Sequence, residues 1–374
     1  MKHNIYRETW AEIDLDAIGY NLKQMKQKLP QHCNIIAVVK ANGYGHGAVQ
    51  IARKALQSGA VALAVALLEE ALILREAGIV APILVFGRIS PEAAAVAAEQ
   101  DITVSLYQSE WIQEVNHQTL PQDLKVHLVL DTGMARVGLR TEEELTELLD
   151  KLKQSSNIKL TGIFTHFATA DEADLTYFRK QQSRLEQLLE VLHSQWPEPV
   201  AVHTGNSAAS IRFPKEMQHY IRFGVSMYGL YPSKVVKAEQ TISLKPAFSL
   251  HSKLIHTKQI DPGYSVSYGA TFTAEEQEWI GTIPIGYGDG WIRKIQGLEV
   301  LVDGKRMPIV GRICMDMMMV RLDREYPVGT KVTLIGKQKD AVIEMDDLAD
   351  HLDTINYEIP CMINGRVPRV YKGE

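Results

Sequence analysis

The chain has 374 residues, 45% of them hydrophobic and 23% charged, with a formal net charge of −5. That length exceeds one ordinary core and predicts two domains, one of which can be large, because α/β barrels reach roughly 250 residues as a single unit. An acidic balance without basic runs excludes a non-specific binder of nucleic acid or of anionic membrane.

Along the chain, the N-terminal stretch has no apolar core of the kind a secretion signal carries. The longest apolar run, 60–68, is closed by Glu69 and Glu70, well short of the about 20 residues that span a membrane. Cys33, Cys314 and Cys361 form no CxxC and no zinc spacing. No metal site is expected, and a reducing, cytoplasmic location is.

From residue 35 onward, short Val-, Ile- and Leu-rich runs recur at 35–39, 61–66, 83–86, 102–106, 126–130, 160–165, 200–202 and 220–223. Helical patterns lie between them, among others at 48–58, 67–77, 142–153 and 176–193. The last places Phe178, Leu185, Leu188, Leu189 and Leu192 on one face. Near-continuous apolar strands alternating with helices imply a parallel sheet buried on both faces. Eight such units predict an α/β fold with a (β/α)8 TIM barrel over 1–240. After the polar stretch 232–240 the strands alternate and turn signals crowd together. Asp303-Gly304, between apolar runs at 298–302 and 307–310, reads as a hairpin with a type I′ turn. A short helix is expected over 344–352, and the segment 241–374 as a mainly β C-terminal domain.

In a barrel, functional groups lie where strands end. Those ends carry Lys40, Asp131 with Arg136, His166, Asn206 with Ser207, and Arg222 with Gly224. A lysine at the mouth of a buried strand loses hydration, which makes its amine a usable nucleophile or base. By position alone, a lysine reaching out to solvent is the simpler account. Gly43, Gly45 and Gly47 lack the GxGxxG spacing and fit a tight turn. His166 alone reads as a satisfied core histidine, and Asn206-Ser207 as a helix cap. The functional alternative is that this helix start and the Gly224 and Val225 amides hold a phosphate, since barrels place such sites after strands seven and eight. Tyr268, Tyr287, Met315 and Tyr357 read by default as packing residues of the second domain.

Taken together, the strings AVVKANGYGHG, LDTGMARVG, THFATAD, GNSAA, RFGVSMYG, GYSVSYGAT, IGYGDGW, GRICMDMMM and TINYEI resemble the alanine racemase family along nearly the whole chain. The first and fifth suggest pyridoxal-phosphate barrels generally; VSYGAT and GRICMD narrow the match. The resemblance implies a cytoplasmic isomerase that interconverts L- and D-alanine and supplies D-alanine for peptidoglycan. It implies that Lys40 binds pyridoxal phosphate covalently and that Tyr44, Ser207, Tyr357, Gly224 and Val225 hold its phosphate, with Asn206 beside them. Arg222 would face the pyridine nitrogen, with His166 beneath the ring. Arg136 and Met315 would bind substrate, while Tyr287, Asp171, Arg293 and Arg312 would line its entry.

Racemisation needs two bases on opposite faces, which the resemblance gives as Lys40 for D-alanine and Tyr268 for L-alanine. It also implies a head-to-tail homodimer in which Tyr268 and Met315 come from the partner subunit. One departure stands out: many members carry a carbamylated lysine where this chain has Val129. The remaining alternatives are a broader racemase that takes serine, a non-catalytic pyridoxal-phosphate protein and a decarboxylase. A barrel oxidoreductase is disfavoured by the missing dinucleotide fingerprint.

Overall fold

The first strand, β1 (Thr9–Asp14), buries Thr9, Ala11 and Ile13 and turns the residues between them outward, the period-2 pattern of a strand covered mainly on one face. The computed structural model describes residues 6–373; residues 1–5 and 374, which fall within the expected domain bounds, lie outside the described residues. The chain then runs through a 14-residue helix, Leu15–Lys28, into a closed barrel. Its strands are β2 (Asn34–Val38), β3 (Ala62–Val65), β4 (Ile83–Val85), β5 (Ile102–Leu106), β6 (Leu124–Val129), β7 (Ile158–Phe164), β8 (Ala201–Gly205) and β9 (Tyr220–Phe223).

All eight neighbouring pairs of the barrel are parallel, and β2 closes on β9 with Ile36 opposite Arg222. The expected (β/α)8 barrel is therefore present, with strands at the places the apolar runs marked. Helices follow the strands as the patterns predicted, including Glu142–Lys153 and Thr176–Gln195. The first of these opens with a reciprocal cap: Glu144 N donates to Thr141 Oγ1 at 3.2 Å and Thr141 N donates to Glu144 Oε2 at 3.2 Å. Among the described residues no helix is long and apolar enough to cross a membrane.

The second unit is a ten-stranded sheet with a short two-stranded ribbon. Its hairpin Glu299–Val302 to Lys305–Val310 turns on Asp303 and Gly304, whose φ of 54° and 81° are those of a type I′ turn. The short helix spans Met345–Leu352. Sequence reading assigned 1–240 to the barrel, whereas spatial grouping gives one unit of residues 17–43 and 47–245. The other unit gathers residues 6–16, 44–46 and 246–373. The difference has a plain cause. β1 pairs antiparallel with Phe248–Lys253 and parallel with Arg369–Lys372, so the chain's first strand is a member of the C-terminal sheet.

Candidate active site

Lys40 directly follows the exit of β2, and the backbone after it is unusual. Ala41, Asn42, Gly43 and Tyr44 have φ of 52°, 52°, 62° and 50°, one turn of left-handed helix. Such a conformation costs an L-residue roughly 1–2 kcal/mol, and local bonds hold it in place. Ala41 N donates to Glu70 Oε1 at 2.5 Å, Gly43 N to Val39 O at 2.8 Å, Gly47 N to Asn42 O at 2.8 Å and Ala48 N to Asn42 Oδ1 at 3.0 Å. Strain of this kind is kept where position matters more than stability.

Arg222, on β9, is 4% exposed. Its Nη1 donates to the His203 carbonyl at 2.7 Å and to His203 Nδ1 at 3.1 Å. Its Nη2 donates to the carbonyls of Thr165 at 2.7 Å and Thr204 at 3.1 Å and to His166 Nδ1 at 3.3 Å. None of these acceptors is a carboxylate. Burial, with Arg136 nearby, pushes the guanidinium down to about 9, which leaves it cationic at neutral pH. Burial and then the charges of Arg222, Arg136 and Lys40 push His166 down to about 3. The imidazole is therefore neutral, and three cations from separate strand ends converge on it.

Asn206 caps the helix Ser207–Arg212 by accepting from Ala209 N at 2.9 Å, and its Nδ2 donates to Phe167 O at 3.2 Å. Asn206 is thus a helix cap, as its place before Ser207 suggests. Ser207 Oγ accepts from Gly224 N at 3.2 Å and Ser226 N at 3.5 Å, which ties the helix start to the turn after β9. With those amides on its oxygen, the hydroxyl proton is left to donate elsewhere.

Arg136 is exposed on a turn built by Asp131, whose Oδ1 accepts from Gly133 N at 3.0 Å and Ala135 N at 2.9 Å. The Asp131 carboxylate thus fixes the turn that carries Arg136, while Val129 is buried apolar surface. Asp171 is half-buried, and its carbonyl accepts from Ser233 Oγ at 2.7 Å.

Within the β-rich unit, the rings of Tyr44 and Tyr357 lie 6.4 Å apart, and burial pushes the Tyr44 phenol up, keeping it protonated. Tyr268 opens a 3-10 turn after Ser267 (φ 67°) and is 71% exposed, unlike the half-buried strand aromatic that its neighbours suggest. Ser267 Oγ donates to Arg312 O at 2.6 Å, and the Arg312 guanidinium lies against Gly269. Tyr287 N donates to Cys314 O at 3.1 Å and Gly288 N to Met315 O at 2.8 Å. Tyr268, Tyr287, Arg312 and Met315 are so drawn onto adjoining loops. Arg293 is exposed at the start of its own 3-10 turn, outside these contacts.

Sequence reading missed three residues behind this site. Gln181 accepts from Ala168 N at 2.8 Å and donates to His166 O at 3.1 Å and Thr132 Oγ1 at 3.3 Å. His203 and His127 stand behind Arg222, with His127 Nδ1 2.8 Å from His203 Nε2. The signal for each was a polar residue in an apolar pattern: Gln181 on the Phe178–Leu185 stripe, and the histidines in or beside buried strands.

Two family models cover most of the chain: "Alanine racemase, N-terminal domain" matches residues 13–232 and "Alanine racemase, C-terminal domain" matches 247–371. The alanine racemase of Geobacillus stearothermophilus is 53% identical over 370 residues, 99% of this chain and 95% of that one. The crystal structure of alanine racemase from Bacillus anthracis with bound L-Ala-P superposes with a TM-score of 0.96 at 46% identity, covering 99% of this chain and 96% of that one. That of the E. faecalis enzyme gives 0.93 at 42% identity, with both chains fully covered.

Proposed function

The chain belongs to the alanine racemase family, and from that premise we propose that it exchanges the Cα proton of alanine between two bases, Lys40 and Tyr268, in sites completed by a head-to-tail homodimer. It is a pyridoxal-phosphate-dependent isomerase that interconverts L- and D-alanine.

The residues present fit that cofactor. An aromatic nitrogen base matches the buried guanidinium of Arg222, which has no carboxylate among its acceptors. A phosphate matches the Ser207 hydroxyl, whose oxygen is already engaged by two amides, and the Val225 amide; within the β-rich unit, the neighbouring phenols of Tyr44 and Tyr357 are donors of the same kind. Lys40 at the β2 exit supplies the amine. Bound pyridoxal phosphate withdraws electron density from the substrate Cα and so acidifies its hydrogen.

Each side chain then has a defined task. Arg222 donates a hydrogen bond to the pyridine nitrogen without giving up its proton, which limits electron withdrawal and favours return of the proton to Cα. Neutral His166 accepts from Arg222 and holds its plane. Arg136 and the Met315 amide bind the substrate's carboxylate end, while Tyr287, Asp171, Arg293 and Arg312 line the approach. Lys40 Nζ moves the proton on the D face and Tyr268 Oη the proton on the L face. The Cys33, Cys314 and Cys361 thiols fit a reducing cytoplasm.

The observation that carries the shared-site reading is the exposure of Tyr268 at 71% and Met315 at 53%, beside exposed Tyr264 and Met317. An apolar patch of this kind marks a surface to be covered by another chain. The test mixes two inactive proteins, Lys40→Ala and Tyr268→Phe. If each site takes its lysine and tyrosine from different subunits, a mixed dimer has one intact site, and random exchange restores about a quarter of full activity. No restoration in dimers shown to have exchanged would place both bases in one subunit and overturn the reading.

A further inference from the structure

Behind Arg222 lies a file of imidazoles that the reaction as described does not use. His203 is fully buried on β8, and the Phe164 ring stacks on it at 4.9 Å and 18°. Stacking fixes the plane of the imidazole and leaves one freedom, the nitrogen that carries its proton. His127, on β6, reaches His203 across the intervening strand β7, with ring centroids 5.0 Å apart and Nδ1 2.8 Å from Nε2.

That reach requires a gap in β7, and the gap is Gly162. It pairs with His127 on one side and Ala201 on the other. A Cβ at Gly162 would stand 2.6 Å from Cε1 and Nε2 of the His127 ring. The β6–β7 register also shifts between Val126 and His127, so the strand is locally re-aimed at this residue.

The direction of the hydrogen bonds follows from elementary bookkeeping. A guanidinium only donates, so His203 Nδ1, 3.1 Å from Arg222 Nη1, must present a lone pair. In a neutral imidazole the proton then sits on Nε2, which donates to His127 Nδ1.

We propose that His127 is a positioning residue: its Nδ1 lone pair holds the His203 proton on Nε2 and so keeps His203 Nδ1 open to accept from Arg222. Gly162 is the notch that admits the His127 ring. Without an acceptor at position 127, the Nε2 proton of His203 is buried and unpaired, and the Nδ1-protonated form becomes competitive. That form meets Arg222 donor to donor and tilts the guanidinium away from the cofactor nitrogen. The inference rests on the role given to Arg222 above.

Three holoenzyme variants separate the possibilities. His127→Phe keeps the ring and removes the acceptor; Gly162→Ala keeps the acceptor and displaces the ring; His127→Gln restores an acceptor of similar reach. Side transamination per racemisation turnover is expected to rise roughly three- to tenfold in the first two, with a changed cofactor absorption spectrum, and to stay near wild type in the third. Neutron diffraction from wild-type holoenzyme crystals should place hydrogen on Nε2 of His203 and none on Nδ1. Hydrogen on His203 Nδ1, or equal partitioning in His127→Phe and wild type, overturns the proposal. Arg222→Glu is the control for the reading beneath it. If that variant leaves partitioning unchanged, the role of Arg222 fails, while the neutron result still decides the histidine pair.

Discussion

At the scale of single residues, the site is held by side chains that bond to main chain and side chains on more than one strand. Gln181 illustrates this. Its amide ties the backbone at His166 and Ala168 to Thr132, joining the ends of β7 and β6. Gln181→Leu removes the part-buried acceptor of the Ala168 amide and the buried bond to Thr132 Oγ1, which together cost about 1–3 kcal/mol. It also frees the segment that carries His166, so racemase activity should fall together with the denaturation midpoint. Gln181→Glu keeps the acceptor for Ala168 N but loses both donated bonds, and should fall between the two. A Leu variant as stable and as active as wild type would remove Gln181 from the support of the site. The strings around Lys40, His166 and Arg222 were legible because each concentrates unusual residues at a strand end. Gln181, His127 and His203 were not, because a polar residue within an apolar pattern shows its purpose only when its partner on another strand is known.

Among elements, the turn after β2 is the most constrained. Gly45 has a φ of 78°, and a Cβ there would stand 2.1 Å from the Pro360 carbonyl oxygen. Gly78 has nearly the same φ, 80°, with nothing within 4 Å. Alanine at Gly78 therefore costs only the backbone term, about 1–2 kcal/mol. Alanine at Gly45 adds a steric cost of about 1–3 kcal/mol, with a neighbour that is main chain and cannot rotate aside. Urea titrations of the two variants isolate the steric part, and equal losses would refute it. The barrel strands were readable from the sequence because strands covered on both faces are continuous apolar runs. Residues 9–14 were harder: alternation marks a strand but not its sheet, and its partners Phe248–Lys253 and Arg369–Lys372 lie more than 230 residues away. The left-handed turn at Ala41–Tyr44 was also hidden, since Asn42 and Gly43 tolerate positive φ but Ala41 and Tyr44 do not signal it.

For the whole molecule, that pairing means neither unit is continuous in sequence, and the β-rich unit completes its sheet only after the last strand is available. Long-range closure of this kind slows folding without setting stability. What sets the acid side of stability is a group of imidazoles folded in the neutral form. Burial pushes His127 and His251 down to about 4 and His166 down to about 3, and lowers His203 well below its ordinary 6.5. An unfolded chain binds protons on these groups at a pH where the folded chain does not. Their contribution is therefore intact above pH 6.5 and is lost as pH falls from there towards 4, each group costing about 1.4 kcal/mol per pH unit. Three of the four belong to the barrel, so the barrel should be the acid-labile unit. Equilibrium urea unfolding of the cofactor-free protein between pH 7.5 and 4.5 should show stability falling with a slope above one proton. His251→Gln should flatten the slope less than His203→Gln, because the Glu12 carboxylate partly offsets what burial and Lys331 do at His251, whereas at His203 the charges of His127 and Arg222 only add to burial in opposing protonation. Stability that holds level from pH 7 to pH 5 would mean that these imidazoles already carry protons in the folded state, and Arg222 would then keep its three carbonyl acceptors but lose the imidazoles of His203 and His166.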